Sequence, residues 1–164
     1  MRHIGVSNFA ADQLERIGLI APVETLQPPY SLVAREIEHE VLPYAERNQI
    51  GVIVYSPMGS GLLTGAMTRE RIEQLPEDDW RKRSQRFQEP QLSEHLALVD
   101  RLKTVASRHD TTAGAVAVAW TLRNPAVDGA ITGFRRPGQV DPILVAASLE
   151  LTDEDSIEIE GSNS

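Results

Sequence analysis

The 164-residue sequence contains no cysteine, which excludes a disulfide framework and a thiolate metal site. Positive charge is scarce, because 16 lysines and arginines stand against 24 aspartates and glutamates, for a net charge of −8. That balance argues against non-specific nucleic-acid binding, which needs clustered positive charge. The longest apolar run, TTAGAVAVAWTL, is too short to span a bilayer, and no signal peptide is recognisable. These absences predict a soluble cytoplasmic protein with no metal site and no nucleic-acid or membrane partner.

What is present is the composition of a globular domain. The sequence is 41% hydrophobic and 24% charged, and its length suffices for one domain with its own core. We therefore predict a single domain over residues 1–164.

Four short apolar runs are each followed by a segment with helical spacing. Because strands and helices alternate, the pattern predicts a parallel sheet built from βα units. The third run has four consecutive apolar residues, which is typical of a parallel strand covered on both faces. The runs are HIGVS, VETLQ, GVIVYSP and DGAITGF, and the units cover approximately residues 1–20, 21–50, 51–125 and 126–150.

The helical segments differ in character. In REIEHEVLPYAERNQ, Pro43 is expected to kink the helix or to mark a boundary. Ser93 is a candidate N-cap for the helix in SEHLALVDRLKTVASRH, and the apolar TTAGAVAVAWTLRN should be buried. The preceding stretch, GSGLLTGAMTRERIEQLPEDDWRKRSQRFQEP, indicates an irregular loop with a short helix. Thr152 begins a capping-box-like pattern that predicts a last helical turn.

The carboxyl ends of the strands are where ligands bind in parallel α/β folds. Ser7 and Asn8 end the first strand, and Gln27 ends the second; all three can donate and accept hydrogen bonds. Tyr55 ends the third and could stack on a flat ring. Each has another interpretation, because Ser7 and Asn8 could cap a helix, Gln27 could be a buried glutamine, and Tyr55 could belong to the core.

Two further stretches could contact phosphate. In SPMGSGLLTG, glycines on either side of Ser60 would let backbone amides approach a pyrophosphate, although the loop matches no standard phosphate fingerprint. In GFRRPGQV, Arg135 and Arg136 precede Pro137, which suits the first turn of a helix. A phosphate there would meet both guanidinium groups and the helix N-terminus, but the arginines could equally be a solvated surface pair.

Taken in order, the stretches MRHIGVSNF, ETLQPPYSLVARE, GVIVYSPMGSGLLTG and AITGFRRPGQV resemble strands five to eight of the aldo-keto reductases, an NADP(H)-dependent TIM-barrel oxidoreductase family. The resemblance implies an α/β fold consisting of a partial (β/α)8 barrel, that is, a half-barrel of four βα units with parallel strands. It also implies NADP(H) as cofactor and partner.

The same resemblance implies a cofactor site. Ser7, Asn8 and Gln27 would hold the nicotinamide carboxamide, and Tyr55 would stack on the nicotinamide ring. The pyrophosphate would be wrapped by Ser56, Pro57, Met58, Gly59, Ser60 and Gly61. The region of the adenosine 2′-phosphate would be received by Gly133, Phe134, Arg135 and Gln139.

The catalytic residues of the family are expected elsewhere. Its Asp, Tyr, Lys and His tetrad lies on barrel strands two to four, which have no counterpart in these 164 residues, so no catalytic residue is assigned. The resemblance implies a truncated homologue that binds NADP(H) and has little or no reductase activity alone. Two alternatives stay open: an active NADPH-dependent oxidoreductase with a non-standard or partner-supplied acid, and a fragment without a function of its own.

A half-barrel would also leave two strand edges unpaired and its inner face uncovered. We therefore expect a homo-oligomer, a dimer formed through the exposed strand edges or the inner face.

Overall fold

The computed structural model describes residues 2–161, in which strands and helices alternate as the sequence predicts. In chain order the elements are β1 (Gly5–Ser7), α1 (Ala11–Gly18), β2 (Thr25–Gln27), α2 (Val41–Arg47), β3 (Gly51–Tyr55), α3 (Arg69–Glu73), α4 (Gln91–Arg108), α5 (Ala113–Leu122), β4 (Gly129–Ile131), α6 (Asp141–Leu144) and α7 (Asp153–Glu160). No helix among these residues is long and apolar enough to cross a membrane.

The four strands form one parallel sheet in the order β1-β2-β3-β4. Gly5 pairs with Thr25, Thr25 with Gly51, and Ile53 with Gly129, so each strand lies beside its predecessor in the sequence. This confirms the predicted α/β class with parallel strands. All four strands therefore end at the same edge of the sheet, which is where the candidate site residues follow them.

One face of the sheet is buried and the other is not. Leu26, Val52 and Val54 are at most 1% exposed, whereas Ile53 and Ile131 on the opposite face are 41% and 44% exposed. The expectation that β3 is covered on both faces was therefore wrong. Its unbroken apolar run reflects one packed face plus an apolar residue on the uncovered face.

The described chain divides into two compact units. The first comprises the chain up to Pro57 together with Thr121–Gly133, and it contains the whole sheet. The second comprises Met58–Trp120 and the chain from Phe134 onward. The single-domain assignment stays a prediction.

Two long helices form much of the second unit. One face of α4 is buried through Leu98, Leu102 and Val105, and α5 is buried from Ala113 to Trp120, as its apolar composition predicts. The stretch before α4 is mostly short 3-10 turns plus α3, also as expected. That stretch packs its own cluster, made of Leu62, Met67, Ile72, Phe87 and Leu92.

Three helix boundaries refine the predictions. The helix α4 starts at Gln91 after Pro90, so Ser93 lies inside it and does not cap it; the early start lets Leu92 pack into the cluster. The hydroxyl of Ser93 instead donates to Glu89 Oε2 at 2.6 Å. The predicted helix around Pro43 is split into a 3-10 turn and α2, where Pro43 occupies the first turn and no amide donor is needed.

The last helix is longer than the single turn expected. Thr152 caps α7: its Oγ1 accepts from the Asp155 amide at 3.1 Å, and its own amide donates to Asp155 Oδ2 at 2.9 Å. This reciprocal pair is the capping box that the sequence indicates.

Candidate functional site

In the first unit, the residues predicted at the strand ends form one hydrogen-bonded group, in which Gln27 takes part through its backbone carbonyl. Ser7 Oγ donates to the backbone carbonyl oxygen of Gln27 at 2.8 Å, and the backbone amide of Asn8 donates to the same oxygen at 3.2 Å. The hydroxyl of Tyr55 donates to Asn8 Oδ1 at 3.0 Å. The ends of β1, β2 and β3 are thereby tied together.

The alternative interpretations of these residues do not hold. The N-cap of α1 is Ala10, so neither Ser7 nor Asn8 caps that helix. Gln27 is exposed and Tyr55 is only partly buried, so neither is a core residue. Asn8 and Gln27 are both exposed, so the Asn8 side-chain amide nitrogen and the Gln27 carboxamide are accessible to a ligand. Their donors and acceptors match those of a carboxamide.

The backbone at several predicted positions is unusual. Among the described residues, five non-glycine residues have positive φ, and three of them are predicted site residues: Asn8 (60°), Ser56 (57°) and Ser60 (58°). Residues held in this left-handed region cost free energy and cluster at ligand-binding sites. The backbone conformation therefore supports these predicted positions independently of their side-chain chemistry.

The glycine-rich loop divides between buried and accessible residues. Pro57, at the end of the first unit, is buried, and Ser56 before it is exposed. In the second unit Met58 and Gly59 are buried, whereas Ser60 and Gly61 are partly exposed. Gly61 has φ of 95°, and its amide donates to the carbonyl oxygen of Met58 at 3.1 Å. In the second unit, Ser60 and Gly61 are thus the members of the loop that are accessible to a ligand.

The turn that follows β4 is organised by Gln139. Its Oε1 accepts from the amides of Arg135 at 2.8 Å and Arg136 at 3.0 Å, so these donors are already satisfied. The predicted contact of a phosphate with this helix N-terminus is therefore replaced by a side-chain cap. Gly133, Phe134 and Arg135 are exposed, which leaves the Arg135 guanidinium accessible.

A cavity of about 440 Å³ lies in the second unit beside two predicted residues, Ser60 and Arg135. The other lining residues belong to the segment before α4, for which the sequence predicts an irregular loop. The lining residues are Ser60, Pro76, Asp78, Asp79, Trp80, Arg81 and Arg135. A sequence signal did exist, because Trp80 is an aromatic residue within the highly charged PEDDWRKR.

The Asp79–Arg81 pair is the best-defined element of this cavity. Arg81 Nε donates to Asp79 Oδ1 at 2.9 Å, and Arg81 Nη2 donates to Asp79 Oδ2 at 2.6 Å. The Arg81 amide also donates to Asp79 Oδ1. The side chain and then the backbone of Arg81 lower the pKa of Asp79 to about 2. Both groups are therefore charged across the neutral range.

A buried tyrosine near the end of β2 is chemically inert. The Tyr30 hydroxyl donates to Glu38 Oε1 at 2.6 Å, and Arg35 Nη2 donates to Glu38 Oε2 at 3.0 Å. Burial, followed by the Glu38 carboxylate, raises the pKa of Tyr30 far above its usual range. Tyr30 therefore holds its proton tightly and is a poor acid.

The comparison with known protein families covers the residues of both units. Residues 1–164 match the Aldo/keto reductase family over their full length. The chain belongs to this family. Aldo-keto reductase YhdN of Bacillus subtilis is 39% identical over 160 residues, covering 97% of this chain and 48% of that protein. The chain thus spans about half the length of the curated relatives it matches.

The structural comparison supports the same family. The glycerol dehydrogenase AKR11B4 of Gluconobacter oxydans superposes with a TM-score of 0.88 at 37% identity, covering 97% of this chain and 48% of that one. The four βα units therefore correspond to half of a TIM barrel, as predicted.

Related proteins differ in the cofactor that their names carry. Aldo-keto reductase yakc [NADP(+)] of Schizosaccharomyces pombe is 30% identical over 156 residues, covering 93% of this chain and 45% of that protein. NADH-specific methylglyoxal reductase of Escherichia coli is 29% identical over 156 residues, covering 95% of this chain and 47% of that protein. Family membership thus indicates a nicotinamide dinucleotide without specifying which one.

Proposed function

We propose that this chain carries the cofactor-binding part of an aldo-keto reductase and binds NADP(H). We further propose that these 164 residues alone have little or no reductase activity. The observation that carries the proposal is the hydrogen-bonded group of Ser7, Asn8, Gln27 and Tyr55 at three strand ends. When bound, the reduced nicotinamide would supply the hydride for carbonyl reduction.

The residues of the first unit suit the nicotinamide end of the cofactor. A carboxamide needs both donors and acceptors, and the exposed Asn8 and Gln27 side chains offer both. The Tyr55 ring is fixed by its hydrogen bond to Asn8, so a flat ring can pack against it without further ordering.

The residues of the second unit suit the phosphates. The Arg135 guanidinium is exposed and can form charge-assisted bonds to a phosphate. We assign the 2′-phosphate to Arg135, which favours NADP(H) over NAD(H). Gln139 supports this role by fixing the backbone of the arginine turn.

We propose little or no activity because carbonyl reduction needs a proton donor in addition to the cofactor. Carbonyl reduction needs an acid, and a tyrosine needs a neighbouring lysine or histidine to become acidic enough. The Lys82 ammonium pairs with Glu77 at 2.5 Å, and the Lys103 ammonium pairs with Asp100 at 2.9 Å. Tyr30 has a raised pKa, and the Tyr55 hydroxyl donates to a neutral amide. We therefore expect neither Tyr30 nor Tyr55 to serve as that acid.

A fluorescence titration with NADPH tests the binding proposal. We expect saturable binding by the wild-type chain, weakened about tenfold or more by Tyr55→Ala, which removes the stacking ring. Tyr44→Ala is the matched control, because Tyr44 is a partly buried tyrosine on α2 outside the site. Arg135→Ala should weaken NADP⁺ about tenfold and leave NAD⁺ nearly unchanged, whereas the adjacent Arg136→Ala should affect neither.

The outcomes separate the proposal from its alternatives. Binding without turnover of a reactive aldehyde supports it. Turnover at a rate typical of complete enzymes, about 1 s⁻¹ or more, would favour an oxidoreductase with another acid. No binding at millimolar NADPH would favour a fragment without a function of its own.

We also propose that a second copy of the chain associates with the first through the sheet. In the described structure β1 and β4 each have one unpaired edge, and Ile53 and Ile131 are exposed on the sheet face. Unpaired parallel edges and exposed apolar side chains favour association.

A further inference from the structure

The short segment after β2 holds the backbone of Tyr55 at the end of β3. The Tyr55 amide donates to the carbonyl oxygen of Pro28 at 3.0 Å, and the Tyr30 amide donates to the carbonyl oxygen of Tyr55 at 3.2 Å. Between these two bonds, Pro29 forms a parallel bridge with Tyr55. Both backbone polar groups of Tyr55 are therefore held by residues 28–30, which the predicted cofactor site does not include.

This segment is held in turn by the side chain of Tyr30. Tyr30 is 2% exposed, and its hydroxyl donates to Glu38 Oε1 at 2.6 Å. The side chain of Asn124 forms a second hydrogen bond with the same hydroxyl. Tyr30 is thus bonded both to the 3-10 turn before α2 and to the turn before β4, and all of these residues belong to the first unit.

The Glu38 carboxylate has a fixed position because Arg35 grips both of its oxygens. Arg35 Nε donates to Oε1 at 3.0 Å and to Oε2 at 3.1 Å, and Arg35 Nη2 donates to Oε2 at 3.0 Å. A guanidinium suits such a two-oxygen contact because its donors form a rigid fork. The Tyr30 hydroxyl therefore meets an acceptor whose place and charge are both set by Arg35.

We propose that Tyr30, anchored by Glu38, is a positioning residue that fixes the Tyr55 ring for the nicotinamide end of the cofactor. The inference rests on the proposed function and gives a role to two residues outside the predicted site. Asn8 holds the Tyr55 hydroxyl, and the segment anchored by Tyr30 holds the Tyr55 backbone. A ring that is fixed in advance loses little freedom when a ligand packs on it, so a loosened anchor lowers affinity.

A buried tyrosine can also serve stability alone, and the two roles have different consequences. If Tyr30 only fills the core, its hydroxyl contributes to the free energy of unfolding and the folded chain binds the cofactor unchanged. If Tyr30 positions Tyr55, the folded chain without that hydroxyl binds the nicotinamide end more weakly. Affinities measured on folded variants therefore distinguish the two roles.

The first test is Tyr30→Phe, which keeps the ring in the core and removes both side-chain hydrogen bonds. In fluorescence titrations NADPH should bind about fivefold more weakly. Adenosine 2′,5′-bisphosphate, which lacks the nicotinamide, should bind within about twofold of wild type by calorimetry. Tyr44→Phe removes the hydroxyl of a partly buried tyrosine on α2 and should change neither affinity. Circular dichroism checks that each variant is folded under the titration conditions.

Substitutions of Glu38 test the anchor itself. Glu38→Ala removes the acceptor and should weaken NADPH as much as Tyr30→Phe does. Glu38→Gln keeps an acceptor oxygen for the Tyr30 hydroxyl and should recover most of the affinity. Glu36→Ala removes an exposed carboxylate from the same 3-10 turn and should have no effect. Because both residues act through one bond, the double variant Tyr30→Phe with Glu38→Ala should bind no more weakly than either single variant.

Amide hydrogen exchange gives a readout of position that does not depend on a ligand. In Tyr30→Phe the amides of Tyr30 and Tyr55 should exchange about tenfold faster than in the wild type, because their acceptors are held less firmly. The Leu14 amide, which donates to Ala10 at 3.0 Å within α1 of the same unit, should keep its rate. Equal acceleration at all three amides would indicate general destabilisation and would overturn the positioning role.

The outcomes also separate this inference from the proposed function. Weaker NADPH binding with unchanged adenosine 2′,5′-bisphosphate binding, recovered in Glu38→Gln, supports the positioning role. NADPH binding that is equal in the wild type and in Tyr30→Phe would overturn that role and leave the proposed function standing. A wild-type chain that does not bind NADPH overturns both, since Tyr55 would then have no nicotinamide to receive.

Discussion

At the scale of single residues, the most informative feature is the left-handed backbone at Asn8, Ser56 and Ser60. Asparagine tolerates this conformation better than other residues with side chains, since its short amide can bond locally. The side-chain oxygen of Asn8, Oδ1, also accepts a hydrogen bond from the Tyr55 hydroxyl at 3.0 Å. One residue therefore serves both the turn after β1 and the proposed nicotinamide contact.

Two substitutions of Asn8 separate these roles. Asn8→Ala and Asn8→Gly both remove the acceptor of the Tyr55 hydroxyl, so both should weaken NADPH binding similarly. Only alanine is strained at φ of 60°, so Asn8→Ala should be about 1 kcal/mol less stable than Asn8→Gly. Urea unfolding followed by circular dichroism measures this difference. Equal midpoints would show that the backbone conformation costs nothing here.

The positions of the proposed site residues at the strand ends could be predicted because they follow from the order of strands. Ser7, Gln27 and Tyr55 each end a recognisable apolar run, and parallel pairing brings those ends together. Arg81 could not be predicted in this way. Its burial depends on packing of a segment with no regular period, and its pairing with Asp79 is visible only in three dimensions.

At the scale of elements, α7 is held by a buried carboxylate. The Asp155 carboxylate is fully buried and accepts hydrogen bonds from the backbone amide and the hydroxyl of Thr152. It also accepts a hydrogen bond from His109 Nε2 at 2.8 Å and forms a salt bridge with Arg108 at the end of α4. Burial raises the pKa of Asp155, but the bonds from Thr152, His109 and Arg108 outweigh burial and lower this pKa well below its ordinary value of 3.8.

This lowered pKa predicts a pH dependence of stability. The folded state holds the proton less tightly than the unfolded state, so the stabilisation from Asp155 is complete above about pH 4. It is lost as pH falls from about 4 towards the lower folded pKa. In Asp155→Asn the free energy of unfolding should be lower at pH 7 by about 1–3 kcal/mol and should fall less steeply in acid.

The control is Glu154→Gln, which removes an exposed charge from the same first turn. It should keep the wild-type acid profile. Urea midpoints measured from pH 7 to pH 2.5 make the comparison. If the Asp155→Asn and wild-type curves run parallel in acid, another carboxylate is responsible for the loss.

Elements with strong periodicity were predictable and marginal ones were not. The buried α5 and the capping box of α7 follow directly from local sequence. The start of α4 did not, because the need to bury Leu92 prevails over the capping preference of Ser93. The exposed face of β3 was missed because an apolar run reports hydrophobicity, not the presence of a covering layer.

At the scale of the whole molecule, the sheet raises the question of what completes it. Strands β1 and β4 each pair on one side only in the described structure. Parallel strands β1 and β4 are both three residues long, so β1 of one copy could pair with β4 of another. A two-fold arrangement would join both pairs of edges at once and leave none unpaired.

This arrangement predicts a dimer of the 18.1 kDa chain at micromolar concentration. Light scattering after size exclusion should give about twice the monomer mass. Ile53→Lys combined with Ile131→Lys places charge on the exposed sheet face and should shift the mass to that of the monomer. Ile157→Lys changes an isoleucine of α7 that is 60% exposed, and it should leave the dimer intact. A wild-type chain that stays monomeric at high concentration would contradict pairing of two copies, because mass action raises the fraction of dimer as concentration rises.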